Sequence, residues 1–157
     1  MTCPSTPTIT GMTGLTVPFT TVFAPHHDRS TMGYQWVGQR EHWDCGVAAI
    51  AMLLQKPYEF VRFLVPEEVV GLGLDKDQAE KLLWCANGTE YGYQCVFRKV
   101  PHQALTPYPG LYAVMTKTDP AQAHYVVVHN GTVYDPVTPH AKTLAEYGVV
   151  MHRWIRY

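Results

Sequence analysis

The chain reads as an α+β domain in which N-terminal helices pack on a C-terminal antiparallel sheet. Three observations predict this. From Cys45 to Trp84 the apolar residues come in helix-length runs punctuated by Asp, Pro and Gly. From Tyr93 onward they switch to short β-branched and aromatic runs. Two of those runs flank Asn130-Gly131, the strongest short-range hairpin signal. Helices and strands are segregated along the chain rather than alternating, which argues against a doubly wound parallel sheet.

The elements follow in order. Residues 1–33 are rich in Thr, Pro and Gly and read as a flexible or arm-like extension. The compact domain is expected over 34–157, opening on a strand-like lead-in at Tyr34-Gln35-Trp36-Val37. The first helix should run from Asp44, as N-cap, to Gln55 before Pro57; its apolar residues from Val47 to Leu54 leave no polar stripe, so it is central. A helical piece follows over Tyr58–Leu64, then a short turn at Pro66-Glu67-Glu68. Gly71 and Gly73 interrupt the chain before Asp75 caps a helix through Trp84, which Asn87-Gly88 stops. Strands are expected at Tyr93–Val100, Leu111–Met115, His124–His129, Thr132–Asp135 and Val149–Tyr157, with a Pro-rich connection from Pro101 to Pro109.

Composition narrows the function classes. The 157 residues suit one domain, and 46% apolar content is ordinary for a globular chain. A formal charge of −1, a pI near 6.7 and a single adjacent basic pair, Arg98-Lys99, give no footprint for nucleic acid. No apolar run reaches the ~18 residues of a membrane span, and no basic segment precedes an apolar one at the N-terminus; cytoplasmic residence is the expectation. The cysteines Cys3, Cys45, Cys85 and Cys95 form no C-x-x-C pair and match no zinc spacing, so neither metal nor cofactor is expected. Cys85 and Cys95 are expected as free core thiols, with a Cys85–Cys95 disulfide as the alternative, and His26-His27 as a surface doublet.

The chemistry centres on Gln39-Arg-Glu-His-Trp-Asp-Cys45-Gly-Val-Ala, which sets a cysteine at the start of a buried helix with a glutamine six residues upstream. The positive end of a helix dipole favours thiolate, the nucleophilic form. The bland alternative is a small core residue. Hairpin parity supplies partners. With Asn130 and Gly131 as the turn, paired positions sum to 261, and His124, Val126 and Asp135 share one face of the sheet. His129 points to the other face. His124 is thus the diagonal neighbour of Asp135, and a histidine oriented by a carboxylate is the base a thiol needs. Gln39 and the Cys45 backbone N–H are candidate oxyanion donors.

Gln39-(x5)-Cys45-Gly46-Val47-Ala48, the downstream His124-Tyr-Val-Val-Val and Asp135-Pro136 together resemble the bacteriocin-processing, double-glycine leader peptidases of the papain-like superfamily. The resemblance spans about residues 35–137 and extends to the Gly-Leu…Ala79-(x4)-Trp84 helix followed by a strand. It implies a papain-like fold, Cys45 as nucleophile, His124 as general base and acid, Asp135 as orienting residue and Gln39 as oxyanion donor. The expected function is a cysteine peptidase acting on a peptide or protein. A transglutaminase-like or deamidating enzyme uses the same acyl-enzyme chemistry. A non-catalytic peptide-binding module is the third reading, disfavoured because a binder has no need for all four residues. Trp43, beside the nucleophile, either shapes a pocket or packs under the loop, while Tyr147, Trp154 and Tyr157 read as core.

Overall fold

The computed structural model describes residues 35–89, 92–101, 106–117 and 122–156. The expected extension at 1–33, the His26-His27 doublet and Tyr157 lie outside them. The chain is α+β: helices α1 (Cys45–Leu54), α2 (Tyr58–Phe63) and α3 (Lys76–Asn87) precede a six-stranded sheet. Its strands are β1 (Tyr93–Pro101), β2 (Gly110–Met115), β3 (Ala123–His129), β4 (Thr132–Asp135), β5 (Thr138–Lys142) and β6 (Val149–Arg156), in the spatial order β1-β6-β2-β3-β4-β5. All pairings are antiparallel. No helix among the described residues is long and apolar enough to cross a membrane.

The helices form where local chemistry directs them. α1 is buried from Gly46 to Leu53 and ends at Gln55 in the left-handed region (φ 52°), just ahead of Pro57. α3 starts at a full capping box, with the Asp75 carboxylate accepting from the Gln78 N–H at 2.8 Å and Gln78 Oε1 accepting from the Asp75 N–H at 2.8 Å. Gly88 closes it at φ 80°. The turn at Pro66 becomes a short 3-10 helix, Glu67–Val69.

The sheet has two buried faces. Leu111, Ala113, Tyr125, Val127 and Trp154 pack with α1, α2 and α3 into the main core. Tyr112, Val114, Val126, Val128, Val133 and Val150 form a second cluster on the opposite face, closed by Leu144 and Tyr147. Parity along β2 and β3 therefore separates the two cores residue by residue.

Two expectations need correction, and two elements were not anticipated. Residues 35–39 are irregular rather than strand-like. Their polar groups bind across to the turn after β4 instead: the Trp36 indole N–H donates to the Asp135 carbonyl at 2.8 Å and the Gln39 N–H to the Pro136 carbonyl at 2.9 Å. β5 and the 3-10 turn Leu144–Glu146 had no sequence signal, because Thr138-Pro-His-Ala-Lys carries a proline and little β propensity. It forms on the sheet edge, where a proline is tolerated. Cys85 stands in a disulfide, whereas Cys45 and Cys95 are free, so Cys85 is neither a free thiol nor paired with Cys95. Disulfide pairing depends on which segments the fold brings together, and cysteine spacing alone does not encode it.

β2 and β6 approach most closely at Gly110, where a Cβ would stand 2.2 Å from the Trp154 carbonyl oxygen. Backbone cannot rotate away as a flexible side chain can. Gly110→Ala is expected to destabilise the fold by about 3 kcal/mol, the upper range of overpacking, read as a lower urea midpoint at unchanged slope.

Candidate active site

The four residues singled out from sequence converge, each carried by a different element. Asn130 (φ 49°) and Gly131 (φ 77°) make the left-handed two-residue turn, and the ladder pairs Val127 with Tyr134, Val128 with Val133 and His129 with Thr132. Each pair sums to 261. Asp135 ends β4, and His124 lies three residues before the last pair of the ladder, on the same face as Val126 and Val133. His124 Nε2 meets Asp135 Oδ1 at 2.8 Å. The same ring lies within hydrogen-bonding reach of the Cys45 thiol. Since Nε2 is occupied by Asp135, Nδ1 is the nitrogen left for the sulfur.

Cys45 reaches this histidine because α1 is seated on the start of β3. Gly46 makes the seating possible: a Cβ there would meet a Leu74 methyl at 2.8 Å and the Tyr125 ring at 3.1 Å. The Tyr125 hydroxyl donates to the Leu74 carbonyl at 3.0 Å, locking the residue beside His124 to the segment before α3. The glycine after the cysteine thus lets α1 sit this close without displacing Leu74 or Tyr125.

Asp135 is the electrostatic centre. It is 2% exposed, yet its carboxylate accepts four hydrogen bonds. Oδ1 takes His124 and the Val137 N–H at 2.8 Å; Oδ2 takes the Tyr147 hydroxyl at 2.6 Å and the Lys142 ammonium at 3.1 Å. Burial alone would push its carboxyl up, but the bonds from His124, Tyr147 and Val137 hold it well below the usual carboxylate range. Burial also disfavours charge on His124, and is outweighed by Asp135 and then Cys45, which raise the imidazole to about 9. Tyr147 is raised by burial and by Asp135, so it stays a donor.

Tyr147 and Lys142 escaped the sequence reading. Tyr147 is buried, as expected of core, but its hydroxyl serves the carboxylate. Lys142 arrives on β5, the strand without a sequence signal. Only the pairing of β5 with β4 would have pointed to it.

Gln39 and Cys45 line one cleft of about 790 Å³, with His42, Trp43, Leu72, His124 and Val137 among its walls. Leu72 and Val137 are 83% and 61% exposed, so the cleft has apolar side chains open to solvent. Trp43 both lines the cleft and belongs to the core, its indole N–H donating to Glu41 at 2.9 Å. Asp44 occupies the N-cap position, but its side chain makes no cap bond and turns back to the Gln39 loop. Among the described residues no group of three or more His, Cys, Asp or Glu is placed to hold a metal ion.

A thiol bonded to a histidine, a histidine bonded to a buried carboxylate and an amide on the same cleft wall form a set that can attack a carbonyl and return a proton to a leaving group. A scan against protein-family models and a search of curated proteins return no match to this chain.

Proposed function

We propose that the chain is a papain-like cysteine peptidase that cleaves a peptide or protein through Cys45, His124 and Asp135, with Gln39 as oxyanion donor. The observation that carries the reading is the continuous relay from the Cys45 thiol through the His124 ring to Asp135, opening on a solvent-accessible cleft. Cys45 Sγ attacks the scissile carbonyl and forms a thioester while the C–N bond breaks. His124 holds the proton that Cys45 gives up and passes it to the departing amine. It then takes a proton from the water that hydrolyses the thioester. Asp135 holds the ring and offsets the imidazolium charge throughout. The Gln39 amide and the Cys45 N–H stabilise the oxyanion of each tetrahedral intermediate. The fit to the double-glycine leader peptidases rests on the order and separation of these four residues.

The test is a comparison of peptide termini. Wild-type protein incubated with a denatured proteome, or with synthetic peptides bearing Gly-Gly, should generate new N-termini that Cys45→Ala does not. New isopeptide links or deamidated glutamines in place of new termini would move the assignment to acyl transfer or deamidation. No Cys45-dependent change of any kind would overturn the enzymatic reading. Gln39→Ala is expected to lower turnover by about 10²–10³-fold, the effect of deleting one oxyanion donor, with the fold unchanged by circular dichroism.

A further inference from the structure

Asp44, the residue before the nucleophile, is fully buried at 0% exposure. Its position is that of an N-cap, since its carbonyl accepts the Ala48 N–H at 3.0 Å. Its carboxyl does something else. Oδ2 accepts the Arg40 N–H at 3.1 Å and the Tyr58 hydroxyl at 2.5 Å. Oδ1 is buried with no partner among the described residues. Leaving half of a buried carboxyl unsatisfied costs about 1–3 kcal/mol, and a serine or threonine could cap this helix without that penalty. Helix stability therefore does not account for an aspartate here.

The bonding partners do. Arg40 immediately follows Gln39, so the loop that carries the amide is held at two successive peptides. The Gln39 N–H is fastened to the Pro136 carbonyl, on the turn after Asp135. The Arg40 N–H is fastened to Asp44, directly before Cys45. Together these fasten the Gln39 backbone to both the residue before the sulfur and the turn after Asp135. Tyr58 secures Asp44 from below; burial and Asp44 both raise its phenol, which keeps it a donor. The Arg40 guanidinium lies 4.1 Å from the centre of the Tyr58 ring and pairs with Glu59 at 2.6 Å, closing the loop over α2.

We propose that Asp44, held by Tyr58, is a positioning residue that sets the oxyanion donor Gln39 opposite Cys45. The inference rests on the reading of Cys45 as an acyl-forming nucleophile. It separates two reactions of the same sulfur. Alkylation by iodoacetamide displaces iodide at a saturated carbon and develops no oxyanion. Acylation by p-nitrophenyl acetate forms a C–S bond at the carbonyl, passes through an oxyanion and breaks the ester C–O bond as p-nitrophenolate leaves.

Both rates are measured on the full chain for wild type, Tyr58→Phe, Asp44→Asn, Asp44→Ala, Gln39→Ala and the Tyr58→Phe/Gln39→Ala double variant. Tyr58→Phe should slow acylation about tenfold, as expected for a hydrogen bond displaced rather than deleted, and leave alkylation within about twofold. Asp44→Ala should slow acylation more, and Asp44→Asn, which keeps an oxygen for Arg40, should restore part of it. In the Gln39→Ala background, Tyr58→Phe should add nothing. Equal slowing of both reactions, unchanged acylation in Tyr58→Phe, or multiplicative losses in the double variant would overturn the assignment. Should Asp44→Ala not fold, Tyr58→Phe and its double variant still decide. Wild-type Cys45 no faster than Cys95 with either reagent would instead overturn the underlying nucleophile reading.

Discussion

Iodoacetamide at pH 7 should alkylate Cys45 and leave Cys95 essentially untouched, with mass spectrometry of tryptic peptides as the readout. Cys95 is pushed up to about 11, first by burial and then by Glu80, so only about one molecule in 10⁴ carries its thiolate at that pH. Cys85 is in a disulfide and does not compete. Cys45 has an imidazole beside it that holds its proton to about 9. A sulfur that hands its proton to an adjacent imidazole is the stronger nucleophile. His124→Ala removes that proton acceptor, and the alkylation rate should fall by at least about tenfold toward that of an ordinary thiol. Turnover should fall further, by about 10⁴-fold, because the same variant also loses the proton donor for the leaving group. Comparable, slow labelling of Cys45 and Cys95 would exclude a paired nucleophile.

Asp135→Asn should lower turnover by about 10³–10⁴-fold and shift the pH profile in a defined direction. The alkaline limb of wild type is expected near pH 9, where His124 loses its proton. Neutralising the carboxylate removes its principal support, so the limb should move down toward the ordinary histidine value of 6.5. Unfolding measurements carry the matching sign. The raised His124 contributes stability that is fully present below its unfolded value and is lost as pH rises through about 9. The lowered Asp135 contributes stability that is present above its unfolded value of 3.8 and is lost as pH falls through its depressed folded value. In Asp135→Asn both dependences should flatten. Total stability should also drop by about 3–5 kcal/mol, because an amide cannot accept from His124, Val137, Tyr147 and Lys142 together. A profile whose alkaline limb stayed in place would mean that Asp135 does not govern the His124 proton.

Much of this arrangement is legible in the amino-acid sequence, and the reason is local. Asn130-Gly131 permits one tight turn, that turn permits one register, and a period of two then places His124 beside Asp135 and His129 away from it. The capping box at Asp75 and Gln78 and the stop at Gly88 are equally local, as is the wholly apolar α1 that requires a central position. Where a residue's role depends on neighbours distant in sequence, the reading falls short. The lead-in at Trp36 and Val37 has strand-like composition, yet its donors are consumed by the Asp135 turn. Asp44 suits a cap by type and serves the preceding loop instead.

The sequence alone determined that helices precede an antiparallel sheet, that a hairpin presents one histidine and one aspartate on a common face, and that a cysteine heads the buried helix. Those outcomes follow from turn chemistry and periodicity, which act over a few residues. Only the tertiary structure decided how Asp135 is held: Tyr147 from the turn before β6 and Lys142 from β5 both reach it at hydrogen-bonding distance. It also decided that Gly46 brings α1 against Tyr125 and so sets Cys45 beside His124. These contacts join segments whose approach is governed by the packing of two cores on opposite faces of the sheet, which no local period encodes.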